Sequence, residues 1–165
     1  MNGNPSTAPI LIVHSFHHQN TLEVAEACAE VLGAEIKSPH DTDPAELADC
    51  NLVGFGSGIY HAKHSGALLT WAERLPQATG TAAFIFSTSG VYNPRKLVAD
   101  HAALRDLLIQ KGYTVVGEFG CRGWDTYAFL RYIGGLNRSR PNAVDLERAR
   151  AFARGLKEHV DASDR

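Results

Sequence analysis

The stretch PILIVHSFHHQNTLEVAEACAEVLG, residues 9–33, combines a short apolar run, a polar turn and a longer amphipathic segment. Its first part, PILIVH (9–14), is apolar almost throughout, as is typical of a strand buried on both faces of a sheet. In residues 21–32 the apolar side chains recur with the spacing of one helix face, and Gly33 is a stop signal. The stretch therefore predicts a buried strand that leads directly into a helix.

The same alternation continues along the chain. Further strands are predicted by apolar runs at 51–57, 81–88 and 112–119 and by a weaker run at 34–39. Helical patterns lie at 67–75, 97–111 and 144–160, with Asn142 and Asp145 placed to cap the last helix. We expect one α/β domain over residues 1–165: a doubly wound, five-stranded parallel sheet of order 2-1-3-4-5 with helices on both faces. A flexible start at 1–8 and a long loop at 121–142 complete this prediction.

Composition limits the class of protein. The 165 residues, 44% hydrophobic and 21% charged, suffice for one sizeable core. No apolar run approaches the roughly 20 residues of a membrane span, and no leader peptide is recognised, so no membrane span is expected. The three cysteines (Cys28, Cys50 and Cys121) are odd in number and widely spaced, which favours reduced thiols and a cytoplasmic protein.

The net charge of −2 is unevenly distributed. Residues 1–80 contain 3 Lys/Arg and 9 Asp/Glu, whereas residues 81–165 contain 13 Lys/Arg and 9 Asp/Glu. This pattern fits either solvated helix faces or a partner surface on the second half. Without a longer basic stripe, no binding of nucleic acid is expected.

Three segments are candidates for a ligand site, because ligands of doubly wound sheets bind beyond the carboxyl ends of the strands. They are SFHHQNT (15–21), SGIYHAKHSG (57–66) and STSGVYNPRK (87–96), which follow the first, third and fourth predicted strands. The first leads into a helix and suits an anion, although Asn20 or Thr21 as a plain helix cap is an alternative. Tyr60 and Tyr92 in the other two can stack on a planar ring. Together the segments predict a planar heterocycle that carries a phosphate.

These segments resemble the flavodoxin family, in particular its short single-domain members. The resemblance rests on the Ser and Asn-Thr of the first loop, GFGSGIY (54–60) and FSTSG (86–90), and it extends from about Pro9 to the last helix. The ending GGLNRSRPNAVDLERARAFA (134–153) also resembles an uncharacterised branch of that family. The resemblance implies FMN as cofactor, with its phosphate at the first loop and its ring between the other two. By position it implies a site formed by Ser15, His17, His18, Gln19, Asn20, Thr21, Ser57, Gly58, Ile59, Tyr60, Ser87, Thr88, Ser89, Gly90 and Tyr92.

The first loop departs from the family pattern at one position, since the family usually has glycine before the Asn-Thr pair, where this chain has Gln19. The loop also has no Lys or Arg. Phosphate binding then rests on neutral donors, unless His18 is protonated and replaces the missing cation. We therefore expect a reduced affinity for FMN.

The resemblance implies a flavoprotein that carries electrons between redox partner proteins or to a small acceptor such as a quinone. An NAD(P)H-dependent FMN or quinone reductase and a flavin-free interaction module are alternatives. A metal site formed by His14, His17, His61 and His64 is another. No P-loop, dinucleotide fingerprint or nucleophile elbow is present.

Two features after the fifth predicted strand remain open. Segment 121–142 contains Trp124 and four arginines, so it is a lid, a docking patch for a redox partner or a cover for the sheet edge. Cys121 is either a redox thiol or a small buried residue.

Overall fold

The computed structural model describes residues 8–16, 18–126 and 128–163. The prediction for His17 therefore lies outside the described residues, as does most of the predicted flexible start. The strands are β1 (Ile10–His14), β2 (Glu35–Lys37), β3 (Leu52–Tyr60), β4 (Lys63–His64), β5 (Ala82–Ser89) and β6 (Thr114–Arg122). The α-helices are α1 (Asn20–Leu32), α2 (Gly66–Glu73), α3 (Pro94–Gln110) and α4 (Ala143–Ser163), and short 3-10 helices span Pro44–Leu47 and Ala128–Ile133.

Five strands form a parallel sheet in the order β2-β1-β3-β5-β6, and β4 pairs antiparallel with the end of β3. Since β5 and β6 are the fourth and fifth predicted strands, the predicted doubly wound α/β fold is confirmed. The register pairs His14 of β1 with Ser57 of β3, and Ser57 with Ser87 of β5. The carboxyl ends of these three strands therefore lie at one level.

Both faces of the sheet are covered. Strand residues such as Ile12, Phe55 and Ile85 pack with buried residues of α2 and α3 on one face. Leu11, Phe84 and Phe86 pack with α1 and α4 on the other. A parallel sheet buried in this way explains why the strand sequences are nearly continuous apolar runs.

The ends of several elements differ from the predicted ones. β3 continues to Tyr60, because Gly58 pairs with Thr88 and the last two residues pair with β4. The predicted loop at 121–142 is not irregular throughout, since β6 includes Cys121 and Arg122 and a 3-10 helix follows. The predicted cap of α4 is confirmed: Asp145 N–H donates to Asn142 Oδ1 (3.1 Å), and Asn142 N–H donates to Asp145 Oδ2 (2.9 Å).

Cys28, Cys50 and Cys121 are all buried and unbridged. Burial raises the pKa of the Cys121 thiol to about 12, so the nucleophilic thiolate is absent near neutral pH. A packing role, not a redox role, fits this residue. Within the described part of the chain, no helix has the length and apolar character that a membrane crossing requires.

Candidate functional site

A cavity of about 530 Å³ opens beyond the carboxyl ends of β1, β3 and β5. It lies where the strand order reverses between β1 and β3, and its volume is within the range of small-ligand sites. The residues that line it are Ser15, Phe16, Asn20, Thr21, Gly58, Ile59, Tyr60, His61, Thr88, Ser89, Gly90, Gly123, Trp124, Asp125, Thr126 and Arg131. The structure thus brings together nine of the fifteen residues expected from the sequence.

The first loop supplies the N-terminus of α1. The first N–H groups of a helix have no acceptor within it, and Leu22 N–H donates to Ser15 Oγ instead (3.3 Å). Asn20 and Thr21 are not the cap, which is Gln19 and makes no side-chain capping bond. Thr21 Oγ1 lies 2.8 Å from Thr88 Oγ1, and Asn20 Nδ2 donates to Trp124 O (2.8 Å). These two bonds tie the loop to β5 and to the segment after β6.

The turn into α1 is left-handed at two residues that are not glycine. The φ angle is +55° at His18 and +54° at Gln19. For an L-residue with a side chain this conformation costs roughly 1–2 kcal/mol. Gln19 therefore makes the tight turn for which glycine was expected, at a cost in strain.

His18 is held by the opposite wall of the site. Its Nε2 lies 2.9 Å from Thr126 Oγ1, and its ring stacks on Trp124 with 3.8 Å between ring centroids. Neither His18 nor Gln19 belongs to the cavity lining. Their predicted contact with a phosphate stays a prediction.

The second wall is the extended end of β3 and the turn that follows it. Gly58, Ile59 and Tyr60 line the cavity, and a Cβ on Gly58 would come within 2.9 Å of Tyr60 Oη. Burial, and then the charge of Asp125, raises the pKa of the Tyr60 hydroxyl, which is therefore neutral at physiological pH. His61, at the two-residue turn into β4, completes this wall with a φ of +49°.

Thr88, Ser89 and Gly90 form the third wall. Gly90 lies close to the fourth wall, because a Cβ there would come within 2.4 Å of Asp125 Oδ2 and the Asp125 side chain would have to shift. Tyr92 lies outside the lining and packs against Gly120, where a Cβ would meet its ring at 3.2 Å. The expected second stacking ring at Tyr92 is thus not at the cavity.

Ser57 and Ser87 lie beneath the cavity. Ser57 Oγ is 2.8 Å from His64 Nδ1, and Ser87 Oγ is 2.8 Å from His101 Nε2. All four side chains are buried, and the two imidazole rings lie 4.8 Å apart. These hydroxyls bond to histidines of the protein, and their predicted contact with a flavin stays untested.

Charged groups connect the buried His64–His101 pair to the surface. His101 Nδ1 lies 2.9 Å from Glu118 Oε2, and Arg105 forms an ion pair with the same carboxylate. Burial opposes ionisation of Glu118, but hydrogen bonds from Arg105 and His101 lower its pKa to about 2. Burial, and then His101, lowers the pKa of His64 well below its usual value. His64 is therefore a neutral imidazole at neutral pH.

Sequence reasoning did not assign the fourth wall, which consists of Gly123, Trp124, Asp125, Thr126 and Arg131. An antiparallel bridge holds it, with Asp125 N–H donating to Leu136 O (2.8 Å) and Leu136 N–H donating to Asp125 O (2.6 Å). Asn137 Nδ2 donates to Gly90 O (2.7 Å) and anchors the wall to the third loop. Phe16 and His61 are further lining residues that were not assigned individually. The available signal was a tryptophan and arginines directly after a strand that ends at this edge.

The histidines considered as an alternative metal site do not form one within the described residues. His64 is buried on Ser57, and His14 contacts His40 with 5.5 Å between ring centroids. In the ranges 8–16, 18–126 and 128–163, no three His, Cys, Asp or Glu side chains are arranged to hold a metal ion. His17 lies outside these ranges.

No family model matches the chain. The uncharacterized protein MJ0298 of Methanocaldococcus jannaschii is 36% identical over 147 residues, which are 89% of this chain and 96% of the relative. Oxidised Flavodoxin 2 from Bacillus cereus superposes with a TM-score of 0.68 at 15% identity, over 92% of this chain and 99% of that one.

Two further solved structures share the fold. The WrbA-like flavodoxin from Agrobacterium tumefaciens gives a TM-score of 0.64 at 18% identity and covers 94% of this chain and 99% of that one. Rubredoxin oxygen:oxidoreductase from Desulfovibrio gigas gives 0.62 at 13% identity, and the match is 94% of this chain but 37% of that one. At these identities the superpositions establish a common flavodoxin-like fold.

Proposed function

The chain belongs to a flavodoxin-like family that includes the uncharacterized protein MJ0298, and from this premise we propose that it binds FMN and serves as an electron-transfer flavoprotein. The observation that carries the proposal is the position of the 530 Å³ cavity. It lies at the switch point of the sheet, between the N-terminus of α1 and the rings of Tyr60 and Trp124. A phosphate at one end and a planar ring at the other match these two environments.

Two features of the lining fit FMN: hydrogen-bond donors at the N-terminus of α1, and glycines that leave space for the ligand. Asn20 and Thr21 contribute the first N–H groups of α1, where the helix dipole favours an anion. Three glycines leave room for close approach: Gly58, Gly90 and Gly123, where a Cβ would meet Asn20 Nδ2 at 2.7 Å. Arg131 is the lining residue with a permanent positive charge, and Asp125 the one with a carboxylate. The lining as a whole suits a ligand with one anionic group and a large flat body.

Bound FMN supplies electron transfer in steps of one or two electrons, and the protein positions it and sets its potential. Ser15 keeps the start of α1 in place by accepting from Leu22 N–H. The Thr21–Thr88 and Asn20–Trp124 bonds hold the first loop against the third and fourth walls. Phe16 and Trp124 add aromatic surface to the lining.

The test compares FMN with riboflavin, which lacks the phosphate. Apo-protein is titrated with each flavin by isothermal calorimetry and by quenching of flavin fluorescence. We expect one FMN per chain and riboflavin binding at least tenfold more weakly, because the N–H groups of α1 bind the phosphate. Equal affinity for the two flavins, or no binding of either, would overturn the proposal. Stopped-flow mixing of the holoprotein with NAD(P)H then separates a carrier, which is not reduced, from a reductase, which is.

A further inference from the structure

Large apolar side chains are exposed around the mouth of the cavity. Phe16, which lines the cavity, is 72% exposed, and Tyr132 and Ile133, which follow the lining residue Arg131, are 75% and 70% exposed. Val91 follows Gly90, and Leu136 is bonded to Asp125. We call these five residues the mouth patch: Phe16, Val91, Tyr132, Ile133 and Leu136. Exposed apolar groups that cluster in this way are typical of interaction surfaces.

The segments that carry the mouth patch are also rich in cations. Five exposed basic residues lie on the segments that form the mouth: Lys63, Arg95, Arg122, Arg131 and Arg138. None of them forms an ion pair with another described residue. Segments 57–66, 87–96 and 121–138 contain a single acidic residue, Asp125. This face is therefore cationic on a chain whose net charge is −2.

From the exposed apolar residues and the cations on the same segments, we propose that the mouth is the docking surface for an acidic electron-transfer protein. The inference rests on the proposed function and adds the sign of charge that the partner must carry. Apolar contact at the centre brings the partner's redox group close to the cavity, while the unpaired cations attract and orient an acidic surface. Opposite charges accelerate such encounters, and salt weakens the effect.

The first experiment does not require a flavin. Amide spectra of the ¹⁵N-labelled protein are recorded with hexacyanochromate(III), a paramagnetic trianion that broadens signals near cationic surfaces. We expect broadening in residues 61–63, 91–95 and 131–138 and little at the opposite edge of the sheet. Broadening distributed evenly over the surface, or confined to another face, would overturn the inference while leaving FMN binding untouched.

The second experiment uses the holoprotein and an acidic ferredoxin as the probe. The rate at which reduced ferredoxin reduces the protein is measured by stopped flow at 20 and 500 mM salt. The variant Arg95→Glu/Arg138→Glu reverses two cations that lie outside the cavity lining. We expect the bimolecular rate constant to fall about tenfold at low salt in this variant and to approach the original value at high salt.

The control variant Arg74→Glu/Lys157→Glu changes the net charge equally at two exposed positions, at the end of α2 and in the last third of α4. Its rate constant should stay within about twofold of the original. Equal losses in both variants, or a rate that rises with salt, would overturn the inference. A dimer seen by light scattering that only Arg95→Glu/Arg138→Glu dissociates would also overturn it. Tight binding of single-stranded RNA at this face would do the same. Failure of the protein to bind FMN would instead remove the proposed function, and the trianion map would still report the charge of the face.

Discussion

At the entrance to α1, His18 and Gln19 adopt backbone angles that favour glycine, with φ near +55°. Gln19 is exposed and forms no side-chain cap, so its side chain contributes little to stability. The backbone strain at Gln19 arises in the turn that directs the N-terminus of α1 towards the cavity. Strain of this kind is often found at ligand sites.

Gln19→Gly is therefore expected to stabilise the protein. Glycine adopts the left-handed conformation freely, which outweighs its larger loss of backbone entropy on folding, so the gain is about 0.5–1 kcal/mol. The measurement is the free energy of unfolding in urea. In the control variant Gln110→Gly, at the last residue of α3, the backbone is right-handed and the same change should give no stabilisation. Destabilisation by Gln19→Gly would show that the turn is not left-handed in solution.

The hydroxyls of Thr21 and Thr88 provide a second prediction at the residue scale. Both side chains are buried and lie 2.8 Å apart, so removal of one hydroxyl leaves the other without a partner. Thr21→Val should lower the free energy of unfolding of the apo-protein by about 1–3 kcal/mol. Thr21→Ser keeps the bond, and Thr21→Val/Thr88→Val removes both partners, so each should cost less than Thr21→Val. A double variant less stable than Thr21→Val would contradict this account.

The network beneath the cavity connects five elements: Ser57 of β3, His64 of β4, Ser87 of β5, His101 of α3 and Glu118 of β6. Two titratable groups of this network, His64 and Glu118, make the fold sensitive to acid. His64 stays neutral in the folded protein but binds a proton below its usual pKa of 6.5 when unfolded. Glu118, with a folded pKa of about 2, binds a proton in the unfolded chain below about 4.5.

Stability should therefore fall in two stages as the pH is lowered. The contribution of His64 is complete above about pH 6.5 and is lost below it. The contribution of Glu118 is complete above about pH 4.5 and is lost towards pH 2. For Glu118 alone, this contribution is at most about 3 kcal/mol. Urea unfolding between pH 3 and 8 measures both. His64→Gln should remove the upper stage and Glu118→Gln the lower one, and an unchanged pH profile in either variant would rule out that assignment.

Element positions were predictable where one physical signal dominated. The apolar runs and helical spacings place all four α-helices and the five parallel strands within a few residues, because burial on both faces leaves that pattern. The last three residues of β3, 58–60, were not predicted as strand, since Gly58 interrupts the apolar run and the pairing with β5 and β4 decides their conformation. Turn signals likewise do not reveal β4, because its two-residue turn uses His61 and Ala62 with positive φ.

The candidate site was also predictable only in part. Local sequence predicts that loops after the first and third strands meet at one edge, and the cavity lies there. The orientation of Ser57 follows from the alternation of side chains along β3, because Val53 and Phe55 face the α2–α3 core and Ser57 is next on that face. The fourth wall depends on the bridge between Asp125 and Leu136, whose formation is set by tertiary contacts rather than by nearby sequence.

At the scale of the whole molecule, the distribution of charge determines the environment of the cavity more than the net charge does. Acidic residues exceed basic ones in residues 1–80, whereas the segments at the mouth carry five exposed cations. A positive potential at the mouth favours the addition of electrons to a bound flavin, since reduction adds negative charge. The same electrostatic field attracts an acidic partner. A change in the charge of the mouth should therefore alter both the redox potential of the flavin and the affinity for the partner.

Lys63→Glu tests this field at the cavity. Lys63 is exposed in β4, two residues after the lining residue His61. Reversal of its charge should lower the midpoint potential of bound FMN by tens of millivolts at low salt, and by less at 500 mM salt, because an exposed charge is screened. Spectroscopic redox titration measures the potential, with Lys157→Glu on α4 as the control that should leave it unchanged. If the potential is indifferent to Lys63→Glu at low salt while FMN is bound, the β3–β4 turn does not face the flavin, and the ring must lie on the side of Trp124 instead.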